Sequence, residues 1–136
     1  MASRLNPYLS FDGNTREAME FYRGVLGGTL EVNTFGEFGE TDPSLADKVM
    51  HARLETPAGF TLMASDPPPG GEVTSGNSVT LSLSGDDETE LRGYWDKLSD
   101  GATVVMPLEK QMWGDVFGMC VDTFGMTWMV NITQAG

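Results

Sequence analysis

Apolar and polar residues alternate in short runs along this chain, and twice the alternation gives way to helical spacing. "NPYLSF" predicts a first strand with apolar Tyr8, Leu9 and Phe11, and "DGN" turns the chain. In "NTREAMEFYRGVLGG", Ala18, Phe21, Tyr22, Val25 and Leu26 recur at helical spacing. Asn14 or Thr15 is expected to cap that helix, with Glu17 near its free amides. Gly27 and Gly28 end it, because glycine enters the left-handed region cheaply. "GTLEVNTF", "VMHARLE" and "FTLMAS" read as three more strands. The polar stretch "GEFGETDPSLADK" reads as a solvated connector without the acid spacing of a calcium loop.

"DPPPGGEVTSGN" is the strongest break, three prolines and three glycines with almost nothing apolar. After it the order of elements repeats. "SVTLSLS" is a strand, and "DDETELRGYWDKLSDG" is a helix with Leu91, Tyr94, Trp95 and Leu98 on one face. Asp86 or Asp87 caps it and favours its dipole; Gly101 ends it. "ATVVMPLEK" is a strand with Pro107 near an edge or its end. The stretch Trp113–Ile132 gives two strands joined by "DTFG", where Asp122 bonds backbone amides and Gly125 takes a positive φ.

Tyr22 and Trp95, Phe21 and Tyr94, Glu17 and Glu90, Gly28 and Gly101, and Val32 and Val105 all stand at one constant spacing. With the repeated element order, this predicts an α+β fold of duplicated βαβββ modules. The expected layout is one domain over 1–136, with module one at about 4–65, a linker at about 66–76 and module two at about 77–134.

Composition narrows the function. The chain has 136 residues, enough for one real core, and 40% are hydrophobic, so it is globular. Eight Lys and Arg against twenty Asp and Glu give a net charge of −12, which repels nucleic acid and anionic membranes alike. No run is long and apolar enough to span a bilayer, and "MASRLNPYLS" lacks a signal-peptide core, so a cytoplasmic protein is expected. Cys120, the single cysteine, excludes an internal disulfide and reads as a small buried hydrophobe. No phosphate-binding glycine loop, nucleophile elbow or zinc motif is present.

The stretches "PYLSFDGNTREAMEFYRGVLGG", "VMHARLE", "LMASD" and "DTFGMTWMVNI" resemble the vicinal oxygen chelate superfamily, in particular its PhnB-like branch, also labelled demethylubiquinone-methyltransferase-like. The superfamily includes glyoxalase I, bleomycin-resistance proteins and extradiol dioxygenases. The resemblance covers nearly the whole chain. It implies curved mixed sheets around a half-open barrel cavity, usually in a homodimer. Metal-dependent members carry His, Gln or Glu ligands on the first and last strands of each module. Here the matching strands contain no His, Asp or Glu; the positions fall on Met63 of the fourth strand, Ser78 or Thr80 of the fifth and Met129 of the last, with Asn6 near the first. Thioethers, hydroxyls and an amide are weak ligands for such ions, so no metal and no cofactor are expected.

The remaining candidates each have a structural alternative. His51, the only histidine, is the candidate catalytic residue and polar anchor, since imidazole both donates and accepts near neutral pH; a lone strand histidine is more often structural. It is expected to share a strand face with Val49 and Arg53. In "WGD", Trp113 can stack on a ligand and Asp115 can accept a hydrogen bond, or the loop simply covers the core. Phe117 and Met119 line either the cavity or the core. Trp128 and Met129 point to opposite faces, one toward the cavity and one toward a helix. The expected function is binding of a small apolar or aromatic molecule. The alternatives are a metal-independent enzyme using His51 or a rim acid and a metal-dependent lyase, isomerase or dioxygenase, which the missing ligands disfavour.

Overall fold

The computed structural model describes residues 3–68, 70–74, 76 and 78–134. Met1 and Ala2 at the start, Pro69, Ser75 and Asn77 of the punctuating loop, and Ala135 and Gly136 lie outside the described residues, as does what was expected of them. The fold is α+β, and the chain divides into two compact units, Met1–Thr74 and Ser75–Gly136.

Unit one runs β1 (Tyr8–Ser10), α1 (Thr15–Leu26), β2 (Thr29–Thr34), α2 (Pro43–Ala46), β3 (Val49–Glu55) and β4 (Thr61–Ser65). Its mixed sheet has the order β1-β4-β3-β2, with β1 parallel to β4 and the other pairs antiparallel. α1 turns Ala18, Met19, Tyr22, Val25 and Leu26 into the core. Met19 takes the buried place expected for Phe21, which is half-buried. On the sheet, Leu9, Val49, Ala52, Leu54, Leu62 and Ala64 are buried.

Three local expectations change. Asn14 makes no side-chain cap for α1. Asp66, read from sequence as the first linker residue, serves that end instead, because β4 delivers it beside the end of β1. Its Oδ1 accepts from the amides of Gly13 and Thr15 at 3.0 and 3.2 Å and from the Thr15 hydroxyl at 2.7 Å. Its Oδ2 accepts from the Val49 amide at 2.8 Å, and the residue is only 3% exposed. The "GEFGETDPSLADK" connector is also not structureless. It holds a 3-10 turn at Gly36–Phe38 and the short α2, where Asp42 accepts from the Ser44 amide and Pro43 brings a preset φ. That amide bond, and then the Ser44 hydroxyl, hold the Asp42 carboxyl below its ordinary value. Finally, the β2–β3 register slips between Asn33 and Thr34, so Val49 falls on the buried face rather than with His51 and Arg53.

Unit two runs β5 (Leu81–Gly85), α3 (Glu88–Ser99), β6 (Thr103–Lys110), β7 (Val116–Val121) and β8 (Thr127–Ile132). The sheet order is β5-β8-β7-β6, with β5 parallel to β8. β5 starts three residues later than "SVTLSLS" suggested. Asp87 caps α3 by accepting from the Glu90 amide at 3.0 Å. Leu91, Trp95 and Leu98 are its buried residues, while Tyr94 is half-buried and donates to Glu90 at 2.5 Å. Gly118 makes room for this packing: a Cβ there would lie 2.9 Å from Trp95 Cη2 and 3.0 Å from Leu108 Cα. β6 is an edge strand broken by two register shifts around Pro107, which disfavours pairing with another chain.

The last hairpin of each unit uses one turn design. The Thr56 and Asp122 amides bond Phe60 and Met126 carbonyls, and the Gly59 and Gly125 amides bond back to Thr56 and Asp122. Gly59 and Gly125 have φ of 91° and 90°. In each turn the first side chain accepts from the amide four residues on. Asp122 also accepts from the Phe124 amide at 2.8 Å and from the Trp128 indole at 2.9 Å.

Cys120 is fully buried on β7. Burial, and then the Asp122 carboxylate, push its thiol up to about 11. A raised value stabilises the fold below the ordinary thiol range, and that contribution is lost as pH rises through about 11. At pH of about 8, iodoacetamide should label the folded chain about 100-fold or more slower than the urea-unfolded chain. Equal rates would mean that β7 opens freely.

Candidate functional site

α1 and α3 each pack against their own sheet, and strand alternation sends the other set of side chains to the opposite face. In unit one, Tyr8 pairs with Met63, Met63 with Arg53 and Arg53 with Glu31, so these four form one row across the sheet. His51 stands two residues before Arg53, paired with Asn33. Tyr8 on β1 reaches over β4 to His51 on β3: its hydroxyl lies 3.2 Å from His51 Nδ1, and the ring centroids are 5.8 Å apart. Arg53 is engaged by Glu31 at 3.1 Å and Glu55 at 3.6 Å, exposed pairs that add little stability.

In unit two the corresponding row is Ser82, Met129, Met119 and Met106. The next row is Ser84, Asn131, Phe117 and Glu109. Trp113 is 59% exposed and meets Phe117 edge-on at 6.0 Å. This face therefore combines thioethers and aromatic rings with two small hydroxyls, the Asn131 amide and, on the edge strand, the Glu109 carboxylate.

The sequence candidates separate accordingly. His51 and Met63 stand on the open face of unit one; Met129, Phe117 and Trp113 belong to that of unit two. Trp128 is turned toward the buried face, 2% exposed, with its indole on Asp122, so of the pair Met129 is the open-face residue. Asp115 spends its oxygens within the chain: Oδ2 accepts from Asn131 Nδ2 at 3.1 Å and Oδ1 from the Gln134 amide at 3.4 Å. These bonds tie the β6–β7 loop to the end of β8. The later start of β5 replaces Ser78 or Thr80 by Ser82 as the partner of Met129. Tyr8 was missed as a site residue. Its signal was present in "YLS", where Leu9 is apolar and inward and Tyr8 must point the other way.

On the open faces the paired strands carry Tyr8 beside Met63 and Ser82 beside Met129, a phenol, two thioethers and a hydroxyl. That donor set does not fit a divalent ion. Among the described residues no group of three or more His, Cys, Asp or Glu is placed to hold a metal, and no helix is long and apolar enough to cross a membrane. A groove of about 570 Å³ lies between Arg4, Leu5 and Asn6 and the β3–β4 turn. Apart from Asn6, it includes none of the candidate residues.

Comparison with known proteins agrees with this architecture. Protein YjdN of Escherichia coli (strain K12) is 30% identical over 96% of this chain and 95% of its own length. The crystal structure of protein PA1353 from Pseudomonas aeruginosa is 41% identical, with a TM-score of 0.86 over 98% of this chain and 100% of that one. A PhnB protein from Bacillus cereus shares the fold at 22% identity, with a TM-score of 0.75 over 96% of this chain and 100% of that one. Residues 4–130 match the family model itself, and the chain belongs to the Glyoxalase/Bleomycin resistance protein/Dioxygenase superfamily.

Proposed function

We propose that the chain is a cytoplasmic, homodimeric small-molecule-binding protein of this superfamily, holding an uncharged apolar or aromatic ligand without a metal. The observation that carries the reading is the row Ser82, Met129, Met119 and Met106 on the open face of unit two, with Phe117 and Trp113 beside it. Polarizable thioethers and aromatic rings suit flat apolar molecules. A charge of −12 disfavours anionic ligands. On the open face of unit one, Met63 offers a further thioether and His51 a polar anchor. Dimerisation would cover the open edge β2. The Tyr8–His51 contact favours one second reading, a metal-independent enzyme in which His51 moves a proton.

Thermal-shift and calorimetric screening against uncharged aromatic metabolites and antibiotics, on protein of measured metal content, tests the reading. Saturable binding without turnover is the expected result. His51→Ala should weaken it by roughly 1 to 3 kcal/mol through one lost hydrogen bond. Trp113→Ala should cost about as much through lost stacking, roughly 1 to 3 kcal/mol. Stoichiometric nickel, zinc or iron would overturn the metal-free reading. Unchanged affinity in both variants would remove His51 and Trp113 from the site. Sedimentation at the mass of one chain would exclude the dimer.

A further inference from the structure

We infer that Tyr8 is a positioning residue that sets the tautomer of His51, and that the ligand therefore presents a carbonyl-type acceptor oxygen to His51 Nε2–H. This rests on the proposed binding role of His51.

The argument begins with the two ring nitrogens. In a neutral imidazole one nitrogen donates and the other accepts, and the partner of one fixes the role of the other. The Tyr8 hydroxyl is 3.2 Å from His51 Nδ1. A phenol donates readily, so Nδ1 is held as the acceptor and the ring proton sits on Nε2. Among the described residues Nε2 has no hydrogen-bond partner, and His51 is only half-buried. A donor left facing an open surface is complementary to an acceptor.

The neighbours narrow that acceptor. Glu31 and Glu55 already engage Arg53, so the adjacent guanidinium is neutralised within the sheet. Met63 stands between Tyr8 and Arg53 in their row. The surface therefore offers an uncharged imidazole donor beside a thioether, with carboxylates nearby that repel an anion. A ketone or amide oxygen on a mostly apolar molecule fits; a carboxylate or phosphate does not.

The chain has a single histidine, so imidazole nitrogen NMR reads His51 alone. Spectra of the uniformly ¹⁵N-labelled whole chain would be taken at pH of about 8.5, where an ordinary imidazole is neutral. The wild type is expected to show Nε2 protonated and Nδ1 as a hydrogen-bonded acceptor. In Tyr8→Phe, Nδ1 should lose its hydrogen-bond shift and the ring should relax to the tautomer mixture of a free imidazole. Tyr8 is 52% exposed, so the variant should keep the wild-type backbone spectrum. Protonated Nδ1 in the wild type, or identical imidazole signals in both proteins, would overturn the positioning role. Titration with acetophenone should then move the Nε2 resonance, whereas ethylbenzene, similar in shape without the oxygen, should not. No Nε2 response to the ketone, or an equal response to both, would overturn the ligand class. The tautomer comparison uses no ligand, so its outcome stands whether or not the wider binding reading survives.

Discussion

Asp66→Ala is expected to destabilise the fold by about 3 to 5 kcal/mol, read from the urea midpoint. The carboxylate is almost fully buried and accepts from three backbone amides and one hydroxyl. Alanine leaves the Gly13, Thr15 and Val49 amides without that acceptor in a site where water reaches poorly. The loss falls on the junction of β1, α1 and β3 at once. Asp66→Asn should cost less, because its oxygen can keep the Gly13 and Thr15 bonds while its amide nitrogen opposes only the Val49 N–H. A loss below about 1 kcal/mol for the alanine variant would show that solvent replaces the carboxylate.

Gly28→Ala is the second large effect. Gly28 has a φ of 105°, and a Cβ there would lie 2.0 Å from the Glu55 carbonyl oxygen and 2.8 Å from Thr56 Cα. Both obstacles are backbone, so β2 must move away from the end of β3 or the residue must leave its conformation. The expected cost is roughly 2 to 4 kcal/mol. Gly125→Ala separates the two contributions. Gly125 has a φ of 90° with nothing within 4 Å of its Cβ position. It should therefore lose only the conformational preference, about 1 to 2 kcal/mol. Equal losses at the two glycines would mean that the close approach to Glu55 relaxes without cost.

Periodicity made both long helices legible, and alternation made the strands legible. α1 stops at Gly27 with a φ of 76°, as the paired glycines predicted. The opposed faces of Trp128 and Met129 follow from strand period alone. Which of them faces α3 does not follow, because that choice is made by a helix packed from elsewhere in the unit. Val49 escaped prediction for another reason: one slipped residue in the β2–β3 ladder reverses the face of everything beyond it. The Tyr8–His51 contact and the Asp66 cap escaped because both depend on the parallel pairing of β1 with β4. No local pattern reports which distant strand a short strand will choose. Alternation alone put Met129 on one face of its strand, but its row with Met119 and Met106 needed the registers of β6 to β8.

The parallel β1–β4 pair also sets a timetable for the nascent chain. β1 and α1 leave the ribosome first, yet the neighbour of Tyr8 is Met63 and the cap of Thr15 comes from Asp66. Until that last segment emerges, the amphipathic α1 has no complete sheet to cover and its leading amides have no carboxylate. Contacts so far apart in sequence form late, because the intervening loop must close before they can contribute. The local β3–β4 hairpin has no such delay and is the natural seed onto which β1 and α1 add. During synthesis the exposed intermediate of unit one is therefore its earliest-made segment, and a pause before Asp66 would prolong the interval in which a chaperone has something apolar to hold.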